Sequence, residues 1–359
     1  MTLDATETAS APALAGIPVR VNPLEHPRWD ALVTSHPDYC FFHSRAWASV
    51  LQEAYGHAPA YFVVCRNERL GALLGVMEAQ SLLGGRRGVS LPFTDFCPLL
   101  ASEENPGREV LGEAFSHGRR RGWTYLEWRG GPTVAEDARA ALAFYGHTLD
   151  LRGGLDELSA RCDSSVRRAI RKAEREGVRV ELSTSLESLR HFYRLYCQTR
   201  RKHGLPPQTF RFFETIHRHV LSCDQGLVAL AWYRAVPIAG ALFCHLGRKA
   251  VFKFGASREG FLPLRGNNLV MWEAIKWYVR NGFSVLHFGR TSLANAGLRA
   301  FKHGWGTRES LIEYFKYDLR QGTYLTQPDE AYGWHNEVFR RMPLPLARLL
   351  GACLYRHWA

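Results

Sequence analysis

The feature that most constrains this chain is an internal repeat. Glu113-Ala-Phe-Ser-His-Gly-Arg-Arg-Arg-Gly-Trp-Thr-Tyr-Leu-Glu-Trp lies over Glu273-Ala-Ile-Lys-Trp-Tyr-Val-Arg-Asn-Gly-Phe-Ser-Val-Leu-His-Phe at an offset of 160 residues. Glu, Ala, Arg, Gly and Leu coincide, and the apolar positions agree. In both copies a helical period runs to a glycine and gives way to β-branched and aromatic residues, the signature of a helix feeding a strand. Upstream, Gly71-Ala-Leu-Leu matches Gly240-Ala-Leu-Phe. The same strand–helix–strand order around each copy predicts a duplicated mixed α/β (α+β) domain in tandem.

A chain of 359 residues has room for two such domains. Residues 1–18 read as a disordered tail, 19–150 as the first domain and 151–325 as the second. Gly153-Gly154 marks the joint. Helical spacing with Ser44 as cap and Gly56 as stop covers residues 42–55. A hairpin is expected around Asn67-Glu68, and an apolar strand over residues 89–100. Residues 326–359 interleave apolar residues with arginine, so this segment is expected to pack on the first domain or to lie on an anionic membrane face. No apolar run approaches the roughly 18 residues of a membrane span. With no signal-peptide pattern either, the expected location is cytoplasmic, with peripheral membrane contact open. The 8 cysteines are scattered without metal-ligand spacing, so free thiols and no metal are expected.

The net charge of +12 favours an anionic partner, and the cations are not spread evenly. Arg167, Arg168, Arg171, Lys172 and Arg175 crowd one helix over residues 163–177, either a solvated face or a phosphate cradle. Arg265-Gly266-Asn267-Asn268 opens a long helix after a strand, where unpaired N–H groups and the positive helix end suit a pyrophosphate. Asp95 is the only charge in its apolar stretch and reads as a turn cap or a functional group. Residues 281–306 carry a short strand leading into Gly289-Arg290, then a turn with Phe301-Lys302 and Gly304-Trp305-Gly306, which together read as the edge of a site. A Gly-x-Ser-x-Gly elbow is absent, which disfavours a serine hydrolase.

Ser90-Leu-Pro-Phe-Thr-Asp-Phe, the basic helix from Val166, the Gly-Arg-Thr-Ser from Gly289, and Phe301-Lys302 with Trp305-Gly306 together resemble the FemAB-like branch of the GNAT acyltransferase superfamily. The likeness is greatest to the FemAB-like proteins associated with exopolysaccharide and exosortase systems, which carry a BioF2-like acetyltransferase domain. It spans residues 36–319 and implies two tandem GNAT-like domains, each a mixed central sheet flanked by helices. It also implies acyl or aminoacyl transfer from acyl-CoA or aminoacyl-tRNA, with no tightly bound cofactor. The acceptor so implied is a phosphate-bearing saccharide or lipid-linked precursor of the cell envelope. Lys302 and Arg290 match the family's Phe-Lys and Phe-Gly-Arg positions, where positive charge would meet the reacting carbonyl. His287 stands where relatives carry an acid and could serve as base or as a buried structural group. Asp95, Arg167, Arg168, Arg171, Phe301 and Trp305 are the expected substrate contacts, and 265–268 the donor cradle. No helical-hairpin arm is present, so tRNA has no independent support. A non-catalytic protein binding a lipid-linked glycan or nucleic acid on the same positive surface is the competing expectation.

Overall fold

The computed structural model describes residues 16–66, 69–81, 84–135, 137–326 and 334–355. The expected turn at Asn67-Glu68 and most of the N-terminal tail lie outside the described residues. The first half runs β1 (Val19–Val21), α1 (Trp29–Thr34), α2 (Arg45–Tyr55), β2 (Ala58–Pro59), β3 (Tyr61–Arg66), β4 (Arg69–Leu74), β5 (Met77–Ser81), β6 (Gly85–Val89), β7 (Leu100–Ala101), α3 (Glu104–Arg121), β8 (Trp123–Arg129) and β9 (Ala140–Asp150). The second runs α4 (Gly154–Arg161), α5 (Ser164–Arg175), β10 (Arg179–Ser183), α6 (Leu186–Lys202), α7 (Phe210–His219), β11 (Gly226–Tyr233), β12 (Val236–Leu246), β13 (Lys249–Ser257), α8 (Gly266–Arg280), β14 (Val285–Ser292), α9 (Ala296–His303), β15 (Arg308–Asp318) and β16 (Thr323–Tyr324). Two helices, α10 (Trp334–Arg341) and α11 (Leu344–Tyr355), follow.

The repeat seen in sequence is a repeat in space. Nearly all strand pairs are antiparallel, but β6 with β8 and β13 with β14 are parallel, each pair bridged by the helix that the two sequence copies share, α3 or α8. Among the described residues, one 12-stranded sheet runs β10-β11-β12-β13-β14-β9-β15-β8-β6-β5-β2, with β16 on β15, and a 4-stranded sheet β1-β3-β4-β7 lies apart. Within the large sheet the halves exchange a strand: β15 comes from the second half yet pairs with β9 and β8 of the first. A shared core reinforces the exchange, with Trp47 of α2 packing edge-on against Phe212 of α7.

Local signals account for many elements. Ser44 accepts the Trp47 N–H and Gly56 adopts the left-handed C-cap, so α2 starts and stops where the sequence says. Val166, Ile170 and Ala173 are the buried stripe of α5. Gly266 lets α8 lie on the sheet, since a Cβ there would meet Ile238, Ala239 and Ala231 at 3.1–3.4 Å. Two expectations are corrected. Residues 90–99 are not a strand but a loop, with Leu91 and Phe93 at positive φ (50° and 63°). Phe301-Lys302 lies in helix α9 rather than in a turn.

The C-terminal helices lie against α6 of the second half. Tyr355 donates to the Pro206 carbonyl and accepts from Arg200, and its ring meets Phe93 of the first half. Among the described residues no helix is long and apolar enough to cross a membrane.

Candidate active site

The parallel pair β13–β14 is in register from Lys249↔Val285 to Val251↔His287 and then parts. The 90–99 loop fits beside this opening and delivers Asp95 to it. Several hydrogen bonds hold the loop, among them Ser90 Oγ donating to Cys97 O, Thr94 Oγ1 to Leu91 O, Arg129 to Thr94 O (3.1 Å), Lys253 Nζ to Phe93 O (2.6 Å) and Tyr314 Oη to Asp95 O (2.6 Å). Left-handed backbone costs a non-glycine residue about 1–2 kcal/mol, so a loop with two such residues persists only because these bonds over-determine it. The Asp95 main-chain carbonyl is thereby occupied while its carboxylate, 3.9 Å from Lys253 Nζ, faces β14. Gly289 (φ 72°) leaves room for it, because a Cβ there would come within 2.9 Å of Asp95 Oδ2.

Around that carboxylate stand Lys253, Lys302 and His287, and Arg290 joins the group through Tyr314, which bonds the Asp95 main-chain carbonyl. Lys302 is buried and donates to the Gly289 and Arg290 carbonyls at 2.9 and 3.0 Å. Burial lowers its pKa to about 8, with the Asp95 charge opposing part of the shift. Lys253 is likewise lowered by burial, against the pull of Asp95. His287 accepts the Gly289 N–H at Nδ1 and lies with its ring 3.9 Å from that of Phe96. Burial, then the charge of Lys302, takes it down to about 3, so it is neutral at pH 7. Arg290 bonds Tyr314 Oη at 2.8 Å and lies over the Phe144 ring. Here a carboxylate, a neutral imidazole and several fixed cations meet at the seam between the halves. That combination can accept a proton from an incoming nucleophile and stabilise a developing oxyanion.

On the other side of α9 is a cleft of about 620 Å³. Arg168 and Lys172 of α5 form one wall, Arg265 and Asn268 the α8 end, and Phe301 with Ala300 the α9 wall. A smaller hollow of about 240 Å³ continues from it past Gly266 and Asn267, sharing Arg265, Asn268 and Phe301. The basic helix and the 265–268 segment, distant in sequence, therefore border one space. Arg265 itself is left-handed (φ 59°), a conformation that turns the chain from the preceding 3-10 turn into α8.

The remaining expected substrate residues lie elsewhere. Arg167 turns back to the carbonyls of Ser159, Ala160 and Cys162, closing the end of α4. Arg171 borders a separate hollow beside Glu174 and Trp272, because it falls on another face of α5. Trp305 is fully buried against Phe288 and Phe301 and is a core residue. Two residues of the seam, Tyr314 and Lys253, are not singled out by the sequence reading. Lys253 carries a usable signal, being the one charge in the apolar run Ala250-Val-Phe-Lys-Phe.

Residues 160–303 match the family described as the Acetyltransferase (GNAT) domain. The FemX crystal structure superposes with a TM-score of 0.66 at 16% identity, over 85% of this chain and 98% of that one. L-PGS from Bacillus licheniformis gives 0.53 at 12% identity, over 94% and 98%. A tandem GNAT protein from the clavulanic acid biosynthesis pathway gives 0.50 at 12%, over 84% and 98%. No curated protein sequence matches the chain. The match to the Acetyltransferase (GNAT) domain thus covers residues 160–303, within a chain whose fold is similar to those of FemX and the tandem GNAT protein.

Proposed function

We propose that the protein transfers an acyl or aminoacyl group from a phosphate-bearing donor to an amine or hydroxyl of a cell-envelope saccharide precursor. The observation that carries this reading is the cleft in which Arg168, Lys172 and Arg265 converge at the start of α8. Three cations and a helix N-terminus around one space suit the phosphates of acyl-CoA or of a charged tRNA end. Asp95 and Arg290 at the seam between the halves would receive the acceptor and handle proton and charge, with the neutral His287 ring beside them as a hydrogen-bond donor and Lys302 fixing the β14 bend beneath them. Relatives in fold include FemX and L-PGS, which supports a donor and acceptor of this general kind.

Native mass spectrometry with acyl-CoA and, separately, with charged tRNA tests the reading. One of the two should bind, and Arg265→Ala with Arg168→Ala should weaken it by about ten- to a hundredfold for each charge-assisted hydrogen bond removed. Binding of neither, or binding indifferent to both substitutions, overturns it. One observation favours a second reading, a binding protein without catalysis: Lys302 already spends two hydrogen bonds on backbone carbonyls. Lys302→Ala separates the two, since turnover should fall with donor binding retained if the site is catalytic, whereas a protein without catalysis shows no turnover in parent or variant.

A further inference from the structure

His147 on β9 is fully buried, and among the described residues neither of its ring nitrogens has a hydrogen-bond partner. A buried imidazole in that condition is costly and calls for an explanation. Its Nε2 faces Glu309 of β15, 3.8 Å from Oε2. The same oxygen lies 2.9 Å from Nε2 of His303, the last residue of α9, and the three ligand atoms all fall within 4.8 Å of one another. A tetrahedral zinc ion with bonds of about 2.0–2.1 Å needs its ligands roughly 3.3 Å apart. Shifts of an ångström or less would supply that spacing.

We propose that His147, His303 and Glu309 form a binding site for a borderline divalent cation of the Zn2+ type. Two imidazoles and one carboxylate select such an ion over Mg2+ or Ca2+, which prefer all-oxygen sets. Arg299 holds Glu309 through two 2.8 Å bonds, fixing the carboxylate while Oε2 keeps a lone pair for the metal. His303 is exposed, so an ion has a way in and an outer position left for water. Binding requires His303 to carry its ring hydrogen at Nδ1, leaving the Nε2 lone pair for the ion in place of the contact to Glu309, and gives His147 its missing partner. The ion would tie the end of α9, the helix of Phe301 and Lys302, to β9 and β15. This site is independent of the acyl-transfer reading.

A second group, Cys40, His43 and Cys97, is wholly buried and would bind through thiolates, which gives the test its contrast. Co2+ is titrated into the purified full chain, followed by visible d–d absorption and displacement by Zn2+. The expected result is one Co2+ per chain with the intense bands of a four-coordinate site and no thiolate-to-cobalt charge-transfer band. His303→Ala, at an exposed position that should not disturb folding, and Glu309→Gln should each weaken binding by tenfold or more. Three results overturn the proposal: no Co2+ spectrum at micromolar protein, a charge-transfer band from thiolates, or affinity unchanged in both variants.

Discussion

At His287 a neutral imidazole is built into the seam between the halves, and its protonation would cost the folded state. Nδ1 is already an acceptor for the Gly289 N–H, so a proton there would break that bond. The sign of the pH effect follows from a pKa of about 3 in the fold against about 6.5 in the unfolded chain. Above pH 6.5 the group has no effect; as pH falls toward 3 the unfolded chain takes a proton that the folded one refuses, and stability declines. His287→Gln keeps an acceptor without the titration, and urea unfolding across pH 7 to 4 should show a shallower loss of stability than the parent. An unchanged slope would mean that other groups dominate acid unfolding. Residue-scale legibility is uneven for related reasons. Asp95 and Arg290 can be read as site candidates because a charge beside an apolar strand is locally conspicuous. His147 and Glu309 cannot, since their meeting depends on β9 and β15 lying side by side, and no local spacing encodes that. Trp305 misleads because a tryptophan between glycines looks the same whether it faces a ligand or the core.

Elements are legible where local signals suffice, the caps of α2 and the basic stretch of α5, and illegible where tertiary interactions override them. Residues 90–99 have strand composition but are pulled into a loop by Lys253, Arg129 and Tyr314, all from strands remote in sequence. Helix α11 offers a test of docking at this scale. Gly351 packs so closely on the turn after α6 that a Cβ would lie 2.2 Å from the Pro207 carbonyl oxygen. Alanine would favour an isolated helix by about 1 kcal/mol, but the clash is with backbone that cannot rotate away. Gly351→Ala should therefore release α11, seen as faster deuterium uptake over residues 344–355 with the rest of the chain unchanged. Uptake equal to the parent would show that the turn yields instead.

At the scale of the whole molecule, the strand exchange governs behaviour. Residues 19–150 and 151–325 look separable along the sequence, since each holds one copy of the repeat. Yet β15, within the second span, has both of its long neighbours in the first, and β14 pairs with β9 across the same division. Expressed alone, each piece would leave unpaired strand edges and an open apolar core. Both should be insoluble or unfolded by circular dichroism, whereas the intact chain should unfold in a single calorimetric transition. Two resolved transitions would show that the shared sheet does not couple the halves.

The exchanged strand also bears on how such a chain can change over generations. Two copies that merely adjoin can be shuffled, lost or replaced by recombination between genes. Once the closing strand of one copy is lodged in the other, a crossover at the joint delivers a protein with a slot unfilled in one part and a stray strand in the other. From then on the pair is inherited as one unit, and change is confined to substitutions tolerated on both sides of β15.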